Sequence, residues 1–332
     1  MNMADPKPAP VAQGTHAGLL VDVQNVTVRF RRKGNLRTLL TRSDITFRAV
    51  AEADLTIRRQ EVVGLVGESG SGKTTLGRTI LRLYEPSEGA VVFDGQDITH
   101  LRERQLRQVW RHMALVFQDP LSSLNPRHTI RAALATPLRV AGQTSEIESR
   151  LVESLRRVGL PRDALDRYPH ELSGGQLQRA ALARALMLSP SLVIADEAVS
   201  KLDVSVRSQI LNLFKDLQAE LSIAFLFITH DLHVAHYLCD RIAVMFFGRI
   251  VETAPARELF RAPRHPYTRA LLSTIEDSGD VPETARRGMV DVDASGCIYQ
   301  SQCPRRIAQC GDAHPPTLTV GQEHTLACFN PG

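Results

Sequence analysis

Residues Gly67-Glu68-Ser69-Gly70-Ser71-Gly72-Lys73-Thr74-Thr75 satisfy the pattern G-x-x-x-x-G-K-[ST], and their flanks constrain the fold more than any other stretch. Val62, Val63, Leu65 and Val66 make a short apolar run that reads as a buried strand, and Thr75 to Leu83 reads as a helix. Strand, glycine-rich turn and helix form the setting in which this motif cradles a phosphate chain, which counts against a chance match. The glycines at 67, 70 and 72 let the backbone curl so that its N–H groups point inward, and the helix N-terminus adds partial positive charge. On this reading residues Gly67, Glu68, Ser69, Gly70, Ser71, Gly72, Lys73, Thr74 and Thr75 bind the phosphates of a nucleotide. Lys73 reaches the β- and γ-phosphates and the Thr74 hydroxyl ligates Mg2+.

A chain of 332 residues is long for one core and implies a large domain with an appendage. Hydrophobic content of 43% and charged content of 23% are ordinary for a globular chain. Forty basic and 36 acidic residues leave a net charge of +4, too mild to argue for nucleic acid, and no nucleic-acid partner is expected. No apolar run approaches the roughly eighteen residues that span a bilayer. Residues 1–18 lack an apolar core and read as a disordered tail, not as a signal peptide, so the chain is expected to be cytosolic even if it works at a membrane. Five cysteines are too few and too uneven for a disulfide scaffold, and four of them, Cys297, Cys303, Cys310 and Cys328, crowd near the C-terminus.

Read in order, Leu19 to Phe30 and Phe47 to Ile57 have strand character, and Ala90 to Phe93 is a strand entering a tight turn. Leu115-Val116-Phe117-Gln118 is a short strand ending at a glutamine, after which Asp119-Pro120 and Asn125-Pro126 break regular structure. Thr129 to about Leu172 reads as a helical insert, with Ile147, Leu151, Val152, Leu155 and Val158 at helical spacing before Gly159-Leu160-Pro161. Leu172-Ser173-Gly174-Gly175-Gln176 opens an alanine-rich helix. Leu192 to Ala195 and Ala224 to Thr229 are buried strands, with an amphipathic helix through Ile210, Leu213, Phe214, Leu217 and Leu221 between them. Arg241 to Met245 and Arg249 to Val251 resemble a closing hairpin, and beyond Leu271 little helical pattern remains.

Asp196 stands at the end of the strand Leu192–Ala195, where a carboxylate can hold magnesium. Glu197 beside it projects differently and can orient or deprotonate an attacking water. The Gly-Gly step after Ser173 exposes N–H groups at a second helix N-terminus, another anion site. The first loop already cradles a whole triphosphate, so the second must serve another nucleotide, and two chains or domains would sandwich ATP between them. An N-cap by Ser173 is the alternative, and it accounts for the serine but not for Gly-Gly-Gln.

The phosphate loop, Gln118, Leu172-Ser173-Gly174-Gly175-Gln176, the strand ending in Asp196-Glu197, Ser200-Lys201-Leu202-Asp203 and His230 follow one another in an order that resembles the ATP-binding subunit of an ABC transporter, over about residues 20 to 255. The resemblance implies an α/β fold: a P-loop, RecA-like ATPase core with an antiparallel β subdomain and an all-helical subdomain. It implies catalytic roles for Glu197, His230, Gln118 and Lys73, Mg2+ ligation by Thr74, Gln118 and Asp196, and ATP contacts in trans from Ser173, Gly174, Gly175, Gln176 and Asp203. Phe30 becomes the candidate adenine-stacking aromatic, with Phe47 its rival. Phe117 to Arg127, Tyr168-Pro169-His170-Glu171-Leu172 and His265-Pro266-Tyr267-Thr268-Arg269-Ala270-Leu271-Leu272 narrow the resemblance to the oligopeptide/dipeptide importers, with nickel importers as near relatives.

The implied organisation is a tail (1–18), an ABC nucleotide-binding domain (19–270, helical subdomain about 119–172) and a cysteine-bearing extension (271–332). The implied function is an ATPase that energises peptide import through dimer closure. Nickel or another small solute, or a soluble non-transport role, are the alternatives. Implied partners are a second ABC ATPase subunit, two integral-membrane permease subunits and, through them, an extracytoplasmic solute-binding protein. The chain would sit peripherally on the cytoplasmic face of the inner membrane. Four thiolates suit zinc or an iron–sulfur cluster, and the resemblance of the tail favours a [4Fe-4S] cluster on Cys297, Cys303, Cys310 and Cys328. This sequence departs from the family at Ala198-Val199, at Gln60 where glycine is usual, and at Lys201 where alanine is usual, the last implying a non-identical partner ATPase.

Overall fold

The computed structural model describes residues 18–31, 46–276 and 295–332. Residues 1–17 of the expected tail and the basic turn after Arg31 lie outside them. The described strands are β1 (Leu19–Arg31), β2 (Thr46–Arg58), β3 (Val62–Val66), β4 (Glu88–Phe93), β5 (Gln96–Asp97), β6 (Met113–Val116), β7 (Leu192–Asp196), β8 (Ala224–Thr229), β9 (Arg241–Phe246), β10 (Arg249–Pro255), β11 (Leu318–Gly321) and β12 (His324–Leu326). The helices are α1 (Lys73–Ile80), α2 (Glu103–Val109), α3 (Ile130–Val140), α4 (Ile147–Arg157), α5 (Gly174–Leu186), α6 (Val204–Leu221), α7 (Leu232–Leu238), α8 (Ala256–Arg261), α9 (Pro266–Glu276) and α10 (Gln309–Asp312).

Strands β6, β7, β8, β3 and β9 pair in that order and all run parallel. Every residue of β3, β7, β8 and β9 is buried, so apolar side chains serve both faces of the sheet, as a parallel sheet covered by helices requires. Parallel pairing also brings the C-terminal ends of β6, β3, β7 and β8 to one edge, the place where open α/β sheets hold ligands. The residues that follow those ends are Gln118, the phosphate loop, Glu197 and His230. A separate antiparallel sheet, ordered β2-β1-β4-β5, packs over the other side of α1.

The insert is helical, as its spacing predicts. Thr129 caps α3 by accepting the Ala132 N–H, and Ile130, Leu134, Leu138, Leu151, Leu155 and Leu177 bury one apolar face among α3, α4 and α5. Helix α1 is shifted from the expected span. It begins at Lys73 and stops at Ile80, because Arg82 turns to φ 55 and its buried guanidinium donates to the Ile98 carbonyl (2.9 Å). Gln60 adopts φ 62, which explains why glycine suits this position and implies a cost of about 1 kcal/mol for the side chain there.

The C-terminal residues are more regular than their sequence implies. β12 pairs antiparallel with β10, extending the main sheet to β11-β12-β10-β9. Fully buried His324 of β12 lies between Glu252 (2.8 Å) and Glu258 (3.0 Å), tying the tail to β10 and α8.

Candidate ATP-hydrolysis site

The phosphate loop is held from outside. A Cβ on Gly67 (φ 149) would stand 2.1 Å from the Met245 carbonyl oxygen, and one on Gly72 (φ 101) would stand 2.3 Å from that of Ala49. These positions therefore need glycine for space as well as for backbone geometry. Gly72 is also the N-cap of α1 and supplies no side chain, so the first-turn N–H groups stay open to an anion.

Lys73 is buried, and its ammonium donates to the Gly67 carbonyl (2.8 Å), the Glu68 carbonyl (2.7 Å) and the Ser71 hydroxyl (3.2 Å). Burial pushes its pKa down to about 8, against the pull of Glu197, Asp196 and Glu68. The Thr74 hydroxyl donates to Asp196 Oδ1 (2.8 Å), bridging α1 and the end of β7. Burial raises the Asp196 carboxyl above the usual range, opposed by the Thr74 hydrogen bond.

Glu197 has φ 48, a left-handed backbone that costs a non-glycine residue on the order of 1–3 kcal/mol and is held by its surroundings. Its N–H donates to the Ile228 carbonyl (2.9 Å), and its own carbonyl accepts from the Ser200 N–H (3.1 Å) and hydroxyl (2.9 Å). Its carboxylate accepts from Gln118 Nε2 (2.7 Å) and meets His230 Nδ1 (3.2 Å). Asp231 caps α7 through the N–H groups of His233 and Val234 and pairs with Arg207 (3.1 Å), fixing the turn that carries His230. Lys73, Thr74, Gln118, Asp196, Glu197 and His230 thus form one site although they span more than 150 positions.

Ser173–Gln176 and Asp203 do not join it: among the described residues, no hydrogen bond links either to the phosphate loop. Ser173 and Gln176 form a reciprocal cap on α5. The Ser173 hydroxyl accepts from the Gln176 N–H (3.4 Å) and Gln176 Oε1 accepts from the Ser173 N–H (3.0 Å). The local cap therefore explains the glutamine as well as the serine, which sequence reasoning did not anticipate. Gly175 is explained by packing, since its Cβ would stand 2.7 Å from Val206. Gly174 alone has no local reason, because a Cβ there would meet nothing within 4 Å. Asp203 is exposed and makes no side-chain cap on α6.

Phe30 and Phe47, the two candidates for stacking on adenine, stand side by side. They are cross-strand partners of β1 and β2, with ring centroids 5.7 Å apart, and Tyr84 meets Phe30 edge-on at 5.3 Å. A residue the sequence left without a role is Tyr267, whose hydroxyl accepts the Glu68 N–H of the phosphate loop (3.2 Å). Nothing in a separation of 199 positions signals that contact.

The four tail cysteines are free thiols within electrostatic reach of one another. Burial raises the Cys297 thiol to about 11, and Cys310, Cys328 and Cys303 add to the rise. Among the described residues, however, no three His, Cys, Asp or Glu side chains are grouped so as to hold a metal ion. The arrangement as it stands does not support the expected cluster or zinc. No helix among the described residues is long and apolar enough to cross a membrane.

Residues 50–200 match the family model described as "ABC transporter", and residues 251–310 match "Oligopeptide/dipeptide transporter, C-terminal region". The oligopeptide transport ATP-binding protein AppF of Bacillus subtilis is 42% identical over 298 residues, covering 85% of this chain and 89% of its own. A provisionally named peptide import ATP-binding protein of Brucella ovis is 45% identical over 305 residues, covering 90% and 96%. Among solved structures, the dimeric post-hydrolysis ATP-binding cassette MJ0796, bound to ADP and Pi, superposes with a TM-score of 0.62. It is 29% identical and covers 71% of this chain and 99% of its own. With this geometry and these matches together, the chain belongs to the ATP-binding subunits of ABC transporters, in their oligopeptide/dipeptide branch, and is an ATPase.

Proposed function

We propose that this chain hydrolyses ATP to drive import of di- or oligopeptides through an ABC permease, working as one of two ATPase subunits on the cytoplasmic face of the membrane. The observation that carries the catalytic part is the convergence of Gln118 and His230 on the Glu197 carboxylate at the strand edge beside Lys73 and Asp196. In this reading Lys73 and the open N–H groups of α1 bind the β- and γ-phosphates. The Thr74 hydroxyl and the Asp196 carboxylate would hold Mg2+, with Gln118 close by. That donor set fits an ion which takes one or two protein oxygens and completes its shell with phosphate and water. Mg2+ supplies neutralisation of charge on the phosphate oxygens. Glu197 accepts the proton of the water that attacks the γ-phosphorus, and His230 orients at the γ-phosphate. The Phe30, Phe47 and Tyr84 patch is the candidate platform for adenine.

Gly174 supports assembly by sandwich. Its open face at the N-terminus of α5 suits a second subunit's nucleotide, with Ser173, Gly175, Gln176 and Asp203 beside it. Exposed Lys201 fits a non-identical partner ATPase. The peptide assignment rests on the names of the relatives and on the C-terminal family match. The experiment is to isolate the complex with its integral-membrane subunits and solute-binding protein and measure ATPase with peptides and with nickel. Peptide stimulation is expected, and Gly174→Asp should abolish it while the isolated variant folds and binds ATP as the native chain does. Stimulation by nickel alone would reassign the cargo, and full activity in Gly174→Asp would remove the sandwich.

We also propose that the four tail thiols take up a metal, a [4Fe-4S] cluster first and zinc second. Support comes from donor chemistry: four free thiols share one small region, and burial, with neighbouring thiols adding to it, raises those of Cys297, Cys303 and Cys328, so a cation would relieve them. Loading would have to draw them closer than they stand. Anaerobically purified protein should hold about four irons per chain with broad absorbance near roughly 400 nm. Stoichiometric zinc would select the alternative, and metal-free protein with an ordered tail would dismiss both.

A further inference from the structure

The segment His265–Thr268 is bonded directly to the phosphate loop. Tyr267 is 3% exposed and its hydroxyl accepts the Glu68 N–H at 3.2 Å. The carbonyl of the same Glu68 is held by Lys73 at 2.7 Å, so one residue of the loop is fixed on one side by the phosphate-facing cation and on the other by α9. The start of α9 is itself anchored. The N–H groups of Arg264 and His265 donate to the Glu252 carboxylate (2.8 and 2.9 Å), and His265 Nδ1 accepts the Tyr267 N–H (3.0 Å). Glu252 also bonds His324 of β12, which is how the C-terminal hairpin reaches the same anchor.

A second route is aromatic. The Tyr267 ring lies 4.4 Å from Phe246 and 5.6 Å from Tyr299, and Phe246 meets Tyr299 edge-on at 5.3 Å. Tyr299 is buried in the turn between Cys297 and Cys303. Its hydroxyl is pushed up by burial and by both Cys303 and Glu68, so it stands within electrostatic reach of the tail thiols and of the phosphate loop together. Tightly packed aromatic contacts have few alternative arrangements, so a displacement of Tyr299 must move Tyr267.

We propose that Tyr267 is a positioning residue for the phosphate loop, and that through it the C-terminal extension, acting by Tyr299, sets how tightly the chain holds the phosphates of ATP. The inference rests on the reading that residues 67–75 bind those phosphates. Tyr267→Phe keeps the ring and removes the acceptor. In the full chain it should weaken MgATP binding about three- to tenfold, the share of one net hydrogen bond. In the assembled complex KM for ATP should rise by a like factor while kcat stays within about twofold, a split that a general loss of structure would not give. Tyr299→Leu touches no atom of the loop and should weaken MgATP binding in the same direction. Should that variant fail to fold, Tyr299→Met takes its place. Native affinity in Tyr267→Phe, or a fall in kcat at unchanged KM, overturns the positioning role. Native affinity in a folded Tyr299 variant overturns the link to the extension. Lys73→Ala separates the two levels: if it still binds ATP normally, the loop reading itself fails, whereas if it loses ATP and the tyrosine variants do not, this inference alone falls.

Discussion

Glu197→Gln should lower ATP turnover in the assembled complex by about a hundredfold or more, the usual cost of losing a positioned general base. ATP should still bind, and the closed pair should persist. The reason lies in the contacts. The Glu197 carboxylate takes a hydrogen bond from Gln118 (2.7 Å) and meets His230 (3.2 Å), while its left-handed backbone is held by Ile228 and Ser200. Glutamine keeps the length and one oxygen, so the turn and the Gln118 contact survive. What goes is the group able to take a proton from water. No phosphate-binding residue is touched, so affinity for ATP should hold or rise. Single-turnover hydrolysis and retention of radiolabelled ATP separate these effects. A wild-type rate in the complex would end the assignment of Glu197 as base.

Lys73→Ala should instead remove binding. Lys73 is 5% exposed, and a charged hydrogen bond is worth about 1.5–3 kcal/mol, so affinity for MgATP should fall about ten- to a hundredfold or more. The pH dependence follows from the same group. Burial sets the Lys73 pKa at about 8, and the phosphates favour its protonated form. Below that pH the cation is in place before ATP arrives; above it, binding must also take up a proton. Wild-type affinity should therefore decline as pH rises through about 8, and Lys73→Ala should lose that dependence. Titration by calorimetry at several pH values measures both, and affinity equal to wild type at neutral pH would remove Lys73 from the site.

The fold class was legible because the chain announces it locally. Apolar runs at Val62–Val66, Leu192–Ala195 and Ala224–Thr229 each end at a motif residue, and short-range patterns of that kind depend on neighbours within a few positions. The helical insert was legible for the same reason. The end of α1 was not, because its stop is set by Arg82 reaching the Ile98 carbonyl, 16 positions further along the chain. The C-terminal strands escaped too: β12 has three residues, and its partner β10 lies some seventy positions earlier.

The sequence by itself determined which residues are the candidates for phosphate and proton chemistry, since glycine at 67 and 72, a lysine, two adjacent acids, a glutamine and a histidine appear in a fixed order. Tertiary structure decided how they are used. It put Gln118 and His230 on the same carboxylate, gave the Ser173 and Gln176 side chains to their own helix, left Gly174 facing outward, joined Phe30 to Phe47, and set Tyr267 against the phosphate loop. Those outcomes depend on strand order and on packing between distant segments. Local patterns hold no record of either, because the energy of a contact belongs to the pair and not to either residue.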